Sequence, residues 1–102
     1  MPDTSAAPLA GAMMSRDLQV TFRGGRLLAA YLSFRNGSKA TASRTRREAD
    51  GILVDYDDAG TPIGIEFIAP SKVSLAKINS LLGSLGQDSA SADELWPLIS
   101  NH

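Results

Sequence analysis

The sequence predicts an α+β domain: an antiparallel β-sheet of four to five strands built from hairpins, packed with one C-terminal helix and a short terminal helical segment. Three observations carry that expectation. Short stretches with strand alternation or β-branched residues recur between Leu18 and Ile68, separated by glycine-bearing turn signals. From Leu75 the apolar period becomes helical. The composition is 43% hydrophobic and 21% charged, ordinary for a globular chain, and 102 residues suffice for one domain with one modest core.

The first hairpin follows from Leu18-Gln19-Val20-Thr21-Phe22, which alternates apolar and polar. Gly24-Gly25 accepts the positive φ of a tight turn. With a two-residue turn, Phe22 faces Leu27, Val20 faces Ala29 and Leu18 faces Tyr31. Leu28, Ala30, Leu32 and Phe34 then share the opposite face. A strand apolar on both faces is expected to be central or covered on both sides, the second cover being a helix or another subunit. Asn36-Gly37 marks the next turn, and Lys39 to Arg47 reads as a polar edge strand guarded by its charges.

Asp50-Gly51 is a further turn, and a hairpin from Ile52 to Ala69 follows, turned at Asp57-Asp58-Ala59-Gly60. A four-residue loop pairs Tyr56 with Thr61, Val54 with Ile63 and Ile52 with Ile65, which gathers the large apolar groups, with Phe67, on one face. Pro70 ends the strand. Ser71 or Ser74 caps a helix whose stripe is Leu75, Ile78 and Leu82, flanked by Leu81 and Leu85, with Gly83 and Gly86 as stops. Ser91-Ala92-Asp93-Glu94 has capping-box spacing, and Pro97 limits the segment after it to one or two turns.

Residues 1–16 read as a disordered tail and 17–102 as the single domain; a start at Met13 or Met14 is the alternative. The tail carries no basic n-region, so a signal peptide is not expected. No apolar run approaches the ~20 residues of a membrane span. The chain has no cysteine, which removes disulfides and thiol catalysis and is compatible with the cytoplasm expected for it. Net charge is −1, so no global field favours nucleic acid or a membrane.

Asp55, Asp57, Gly60 and Glu66 fall at positions 1, 3, 6 and 12 of an EF-hand-like calcium loop. Position 5 is Ala59 and the flanks are strands, so a hairpin turn is expected and no metal or other cofactor. Asp55 and Glu66, on paired strands, are considered as an acid/base pair; a thin sheet offers little cleft, and a solvated strand face is expected instead. His102 has no triad partners, and Gly24-Gly25 lacks the helix needed for a phosphate cradle. No catalytic residue is assigned, and the protein is expected not to be an enzyme.

Charge is segregated along the chain. From Arg23 to Arg47 every formal charge is positive, and from Glu48 to Glu66 every one is negative. Arg44, Arg46 and Arg47 form a candidate basic patch for nucleic acid. Cross-strand pairing of a basic strand with an acidic neighbour is the favoured reading, so nucleic acid is not the expected partner. Leu95, Trp96, Leu98 and Ile99 form the other candidate surface. They either complete the core or clasp a second subunit with Trp96 as anchor.

The segment Asp55-Tyr56-Asp57-Asp58-Ala59-Gly60-Thr61-Pro62-Ile63-Gly64-Ile65-Glu66-Phe67-Ile68 resembles the pattern "DyDedGrlvGiEil" of DUF2283, a bacterial and archaeal family of unknown function. Leu28-Ala29-Ala30-Tyr31-Leu32 resembles its "DalYi" strand, with Leu28 where the family often has Asp. The resemblance covers about Leu18 to Pro70. It implies a short, mostly antiparallel β domain without assigned activity, and Asp55, Asp57, Gly60, Gly64 and Glu66 match its motif. Gly64 is expected to leave room opposite Leu53, and Glu66 has no evident turn role. Some members lie beside small toxin-like proteins, which implies an antitoxin-like regulator with a small protein partner as the alternative. The favoured expectation is a non-enzymatic protein-interaction module forming a homodimer.

Overall fold

The computed structural model describes residues 16–34, 42–68, 70 and 73–99. The expected tail up to residue 15, the Asn36-Gly37 turn, the start of the basic strand at Lys39, and Ala69, Ser71 and His102 lie outside them. Five strands form, β1 (Asp17–Arg23), β2 (Arg26–Ser33), β3 (Arg44–Ala49), β4 (Ile52–Tyr56) and β5 (Pro62–Phe67), followed by α1 (Leu75–Ser84) and α2 (Trp96–Ile99). The sheet is antiparallel throughout, in the order β1-β2-β5-β4-β3. The expected α+β class is therefore the observed one.

The β1–β2 hairpin turns at Gly24 (φ 58°) and Gly25 (φ 77°), a left-handed pair that matches strand twist. Phe22 pairs with Leu27 as expected, but the register then slips by one: Thr21 pairs with Ala29, Val20 with Ala30 and Leu18 with Leu32. Leu28 is the extra residue of a β-bulge. The bulge divides the two faces differently from strict alternation. Leu27 is buried beside Ala30, Leu32 and Phe34, whereas Leu28 is 44% exposed. It also puts Leu18 and Val20 against the core instead of opposite Ala29 and Tyr31.

The β4–β5 hairpin differs from its expected register by two residues. Ile52 pairs with Phe67 and Val54 with Ile65, while Tyr56 pairs with Pro62 across a bulge. A slip of two leaves every side chain on its expected face. It exchanges the Ile52–Ile65 pair for one that places Phe67, fully buried, across from Ile52. The longer loop is closed by Asp57, whose Oδ1 accepts from the amides of Ala59 (3.0 Å) and Thr61 (2.9 Å). Gly60 takes φ 84° there.

One face of the sheet carries the core. Leu32, Phe34, Ile52, Val54, Ile65 and Phe67 pack against Ile78 and Leu82 of α1 and against Val73, Leu95 and Leu98. Ser74 caps α1, its hydroxyl accepting from the Lys77 amide at 3.2 Å. Gly83 lies inside the helix. The stop is Gly86 (φ 74°), with Gly86 N–H bonded to Gly83 O and Gln87 N–H to Leu82 O, the Schellman pattern.

Two polar clamps hold the segment after α1. The Asn79 amide donates to Ala90 O (3.1 Å) and accepts from Ala90 N (2.6 Å). Arg16 grips Glu94 through Nε (2.9 Å) and Nη2 (3.1 Å), and also donates to the carbonyls of Asp88 and Ser89. Arg16 was expected in a disordered tail. Its bidentate pairing across 78 positions of sequence makes it part of the domain. Half of the expected capping box forms: Ser91 Oγ accepts from Glu94 N at 3.2 Å, while the Glu94 side chain turns to Arg16.

Candidate functional site

The opposite face of the sheet is covered by no described element of this chain, so of the two covers expected for it no described helix supplies one. Strand register lines its side chains into rows. One runs Gln19–Tyr31–Glu66–Leu53–Arg47 across all five strands, and the next runs Asp17–Ser33–Gly64–Asp55–Thr45. The motif residues Asp55, Gly64 and Glu66 thus share one open face with Tyr31.

Gly64 is opposite Asp55 and Ser33, not Leu53, and it is buried. The reason is Tyr31. Its ring crosses β5 over Gly64, where a Cβ would stand only 2.8 Å from Cε2 and closer still to the hydroxyl end. The phenol donates to Asp55 Oδ2 at 3.0 Å, and Thr45 Oγ1 donates to Asp55 Oδ1 at 2.6 Å. Both oxygens of Asp55 are engaged, one from each flanking side. The absent side chain at Gly64 therefore lets an aromatic ring lie flat and tie β2 to β4 across an intervening strand.

Burial pushes the Tyr31 phenol up to about 12, helped by its hydrogen bond to Asp55 and by the charges of Asp55 and Glu66. The hydroxyl is a fixed donor at neutral pH. Asp55 and Glu66 are diagonal neighbours on β4 and β5, but both oxygens of Asp55 are held by hydroxyls. Asp57 spends its carboxylate on turn amides, with Gly60 beside it. Among the described residues, no three His, Cys, Asp or Glu side chains converge as metal ligands.

The candidate basic patch is divided by strand alternation. Arg44 and Arg46 stand opposite Tyr56 and Val54, on the helix side, whereas Arg47 stands opposite Leu53 on the open side. Cross-strand pairing with acids is not what the register delivers. Arg46 instead approaches Glu48 at 3.9 Å and Arg47 approaches Asp50 at 4.0 Å, long contacts within the same strand and its turn. Glu48 also accepts from the Tyr56 hydroxyl (3.1 Å), and partial burial with that bond raises the Tyr56 pKa.

The C-terminal surface is likewise split. Leu95 and Leu98 are fully buried in the chain's own core and Ile99 packs against it, so these three are not a free clasp. Trp96 alone is presented, at 59% exposure. One groove, of about 370 Å³, lies between β3 and α1, lined by residues including Glu48, Ala49, Lys77 and Ser84. It contains none of the motif residues.

Residues 29–70 match the family model described as protein of unknown function (DUF2283). This segment is similar to DUF2283. It runs from Ala29 through Pro70 and so covers the last five residues of β2 and all of β3 to β5, leaving β1, the start of β2 and the helices outside the match. No curated protein matches the chain, and no solved structure does. No helix among the described residues is long and apolar enough to cross a membrane. The DUF2283 strands provide all the residues of the Tyr31–Asp55–Thr45 network, together with Gly64 and Glu66. Sequence reading singled out Asp55, Gly64 and Glu66 as motif positions but missed Tyr31 as their partner. The signal was present: a tyrosine in an apolar strand, and a glycine inside a strand where a close approach is the usual reason.

Proposed function

We propose that the protein is a non-enzymatic protein-interaction module of the bacterial cytoplasm that works as a homodimer through the uncovered sheet face. One observation carries this reading: the motif residues of the DUF2283 segment that are not turn residues gather on that face and not in a cleft. A flat surface with a locked tyrosine and satisfied carboxylate is suited to contact, not to proton transfer. Leu28 and Ile68, 44% and 47% exposed, add apolar area near the end of β5. Light scattering after size exclusion tests the assembly. Twice the chain mass at micromolar concentration is expected, and a monomer refutes the homodimer.

A second reading is an antitoxin-like regulator that binds a small protein and touches nucleic acid through β3. The exposure of Arg44, Arg46 and Arg47 on an edge strand favours it. Its test is a gel shift with duplex DNA at low salt: salt-sensitive retention supports it and free duplex rejects it.

A further inference from the structure

The row Tyr31–Glu66–Leu53–Arg47 spans four adjacent strands, β2, β5, β4 and β3. Tyr31 and Arg47 stand at equal distances from the seam between β4 and β5, one and a half strand spacings or about 7 Å. A two-fold axis parallel to the strands and above that seam therefore carries the backbone of Arg47 of one copy over that of Tyr31 of the other, whose ring leans one strand across over Gly64, a displacement the long arginine side chain spans. We propose that the uncovered face is a two-fold, sheet-on-sheet interface between two copies of this chain. In it Arg47 of each copy stacks on the partner's Tyr31 and pairs with the partner's Glu66. This rests on the homodimer reading above and names the residues that make it.

The chemistry of the row selects this axis. A guanidinium stacks on an aromatic face and favours a carboxylate at the ring edge. The Tyr31 ring lies flat over Gly64, and Glu66 is its neighbour on β5. An axis above β5 itself would place Glu66 on Glu66, and one above the β2–β5 seam would leave Arg47 outside the contact. An axis above β4 would set Arg47 on Glu66, but it would put Asp55 on Asp55 in the adjacent row and leave Tyr31 outside the contact. The β4–β5 axis joins the cation to both ring and acid and brings no acid onto an acid in either row. Leu53, half-buried and central, then lies against the stem of the partner's Glu66.

The size also fits. About this axis β1 overhangs, and the other four strands, at about 4.8 Å spacing and about 17 Å of strand length, with side-chain relief bury on the order of 500 Å² per copy, roughly 1,000 Å² in total and the lower limit for a specific interface. Arg47 is available for the contact, being 66% exposed with only a 4.0 Å approach to Asp50.

Sedimentation equilibrium of the full chain with Arg47→Glu, Glu66→Lys and the double variant tests the pairing. Each single reversal is expected to weaken dimerisation at least tenfold, and the double variant to return within about threefold of wild type. The chain has no cysteine, so Leu53→Cys provides an independent probe. A short bismaleimide should link two copies through position 53. A wild-type dimer that Arg47→Glu leaves unchanged and that Leu53→Cys does not cross-link overturns this interface while the homodimer stands. A wild-type monomer at micromolar concentration overturns both.

Discussion

Gly64→Ala isolates the feature that organises the open face. Gly64 has no positive φ, so its backbone tolerates alanine, and in a strand interior that change alone stabilises by roughly 0.5–1 kcal/mol. The new Cβ, however, meets the Tyr31 ring inside its van der Waals surface, 2.8 Å from Cε2. The ring must leave. Its hydrogen bond to the Asp55 carboxylate goes with it, about 1.5 kcal/mol at this half-buried site, and so does the ring's packing over β5, about 1 kcal/mol more. The expected net loss is about 1.5–2 kcal/mol, read by urea denaturation. The decisive comparison is a double-mutant cycle with Tyr31→Ala. In that background the clash has no partner, and Gly64→Ala should become neutral or stabilising by up to about 1 kcal/mol. Equal losses in both backgrounds, or no loss in wild type, would refute the account of Gly64 as the seat of the ring.

Three further outcomes follow from the clamps and the phenol. Ultraviolet titration of tyrosinate should show a late component near pH 12 that Tyr31→Phe removes. Because the folded-state pKa lies above the unfolded value of 10, the phenol's contribution is complete below pH 10. It is lost as pH rises from 10 towards about 12, so the stability difference between wild type and Tyr31→Phe narrows in that window. Arg16→Ala should cost about 2 kcal/mol, since Glu94 and two carbonyls lose their donors, and Arg16→Lys should restore little because it lacks the planar fork. Hydrogen exchange across 88–99 should quicken with it. Asn79→Ala should cost about 2 kcal/mol by orphaning both polar groups of buried Ala90, with Asn79→Asp intermediate because it keeps the acceptor, both measured by thermal unfolding.

What the sequence determined by itself was local. The period-two stretches, the glycine turns at Gly24-Gly25 and Gly60, the Ser74 cap and the stripe of Ile78 and Leu82 depend on contacts within a few residues, so each is written where it acts. The motif around Asp55 and Glu66 was legible for the same reason, as a hairpin signature. Tertiary structure decided where alternation breaks. The bulge at Leu28 arises because burying Leu27 together with Ala30 and Leu32 needs one extra residue, and no local pattern records that demand. The two-residue slip in β4–β5 follows from burying Phe67 across from Ile52. The open-face network joins Tyr31 to Asp55 across 24 positions, and the clamp on the segment after α1 joins Arg16 to Glu94 across 78. Such contacts exist only once the order β1-β2-β5-β4-β3 brings distant strands side by side, and that order is chosen by the sum of apolar burial over the whole chain.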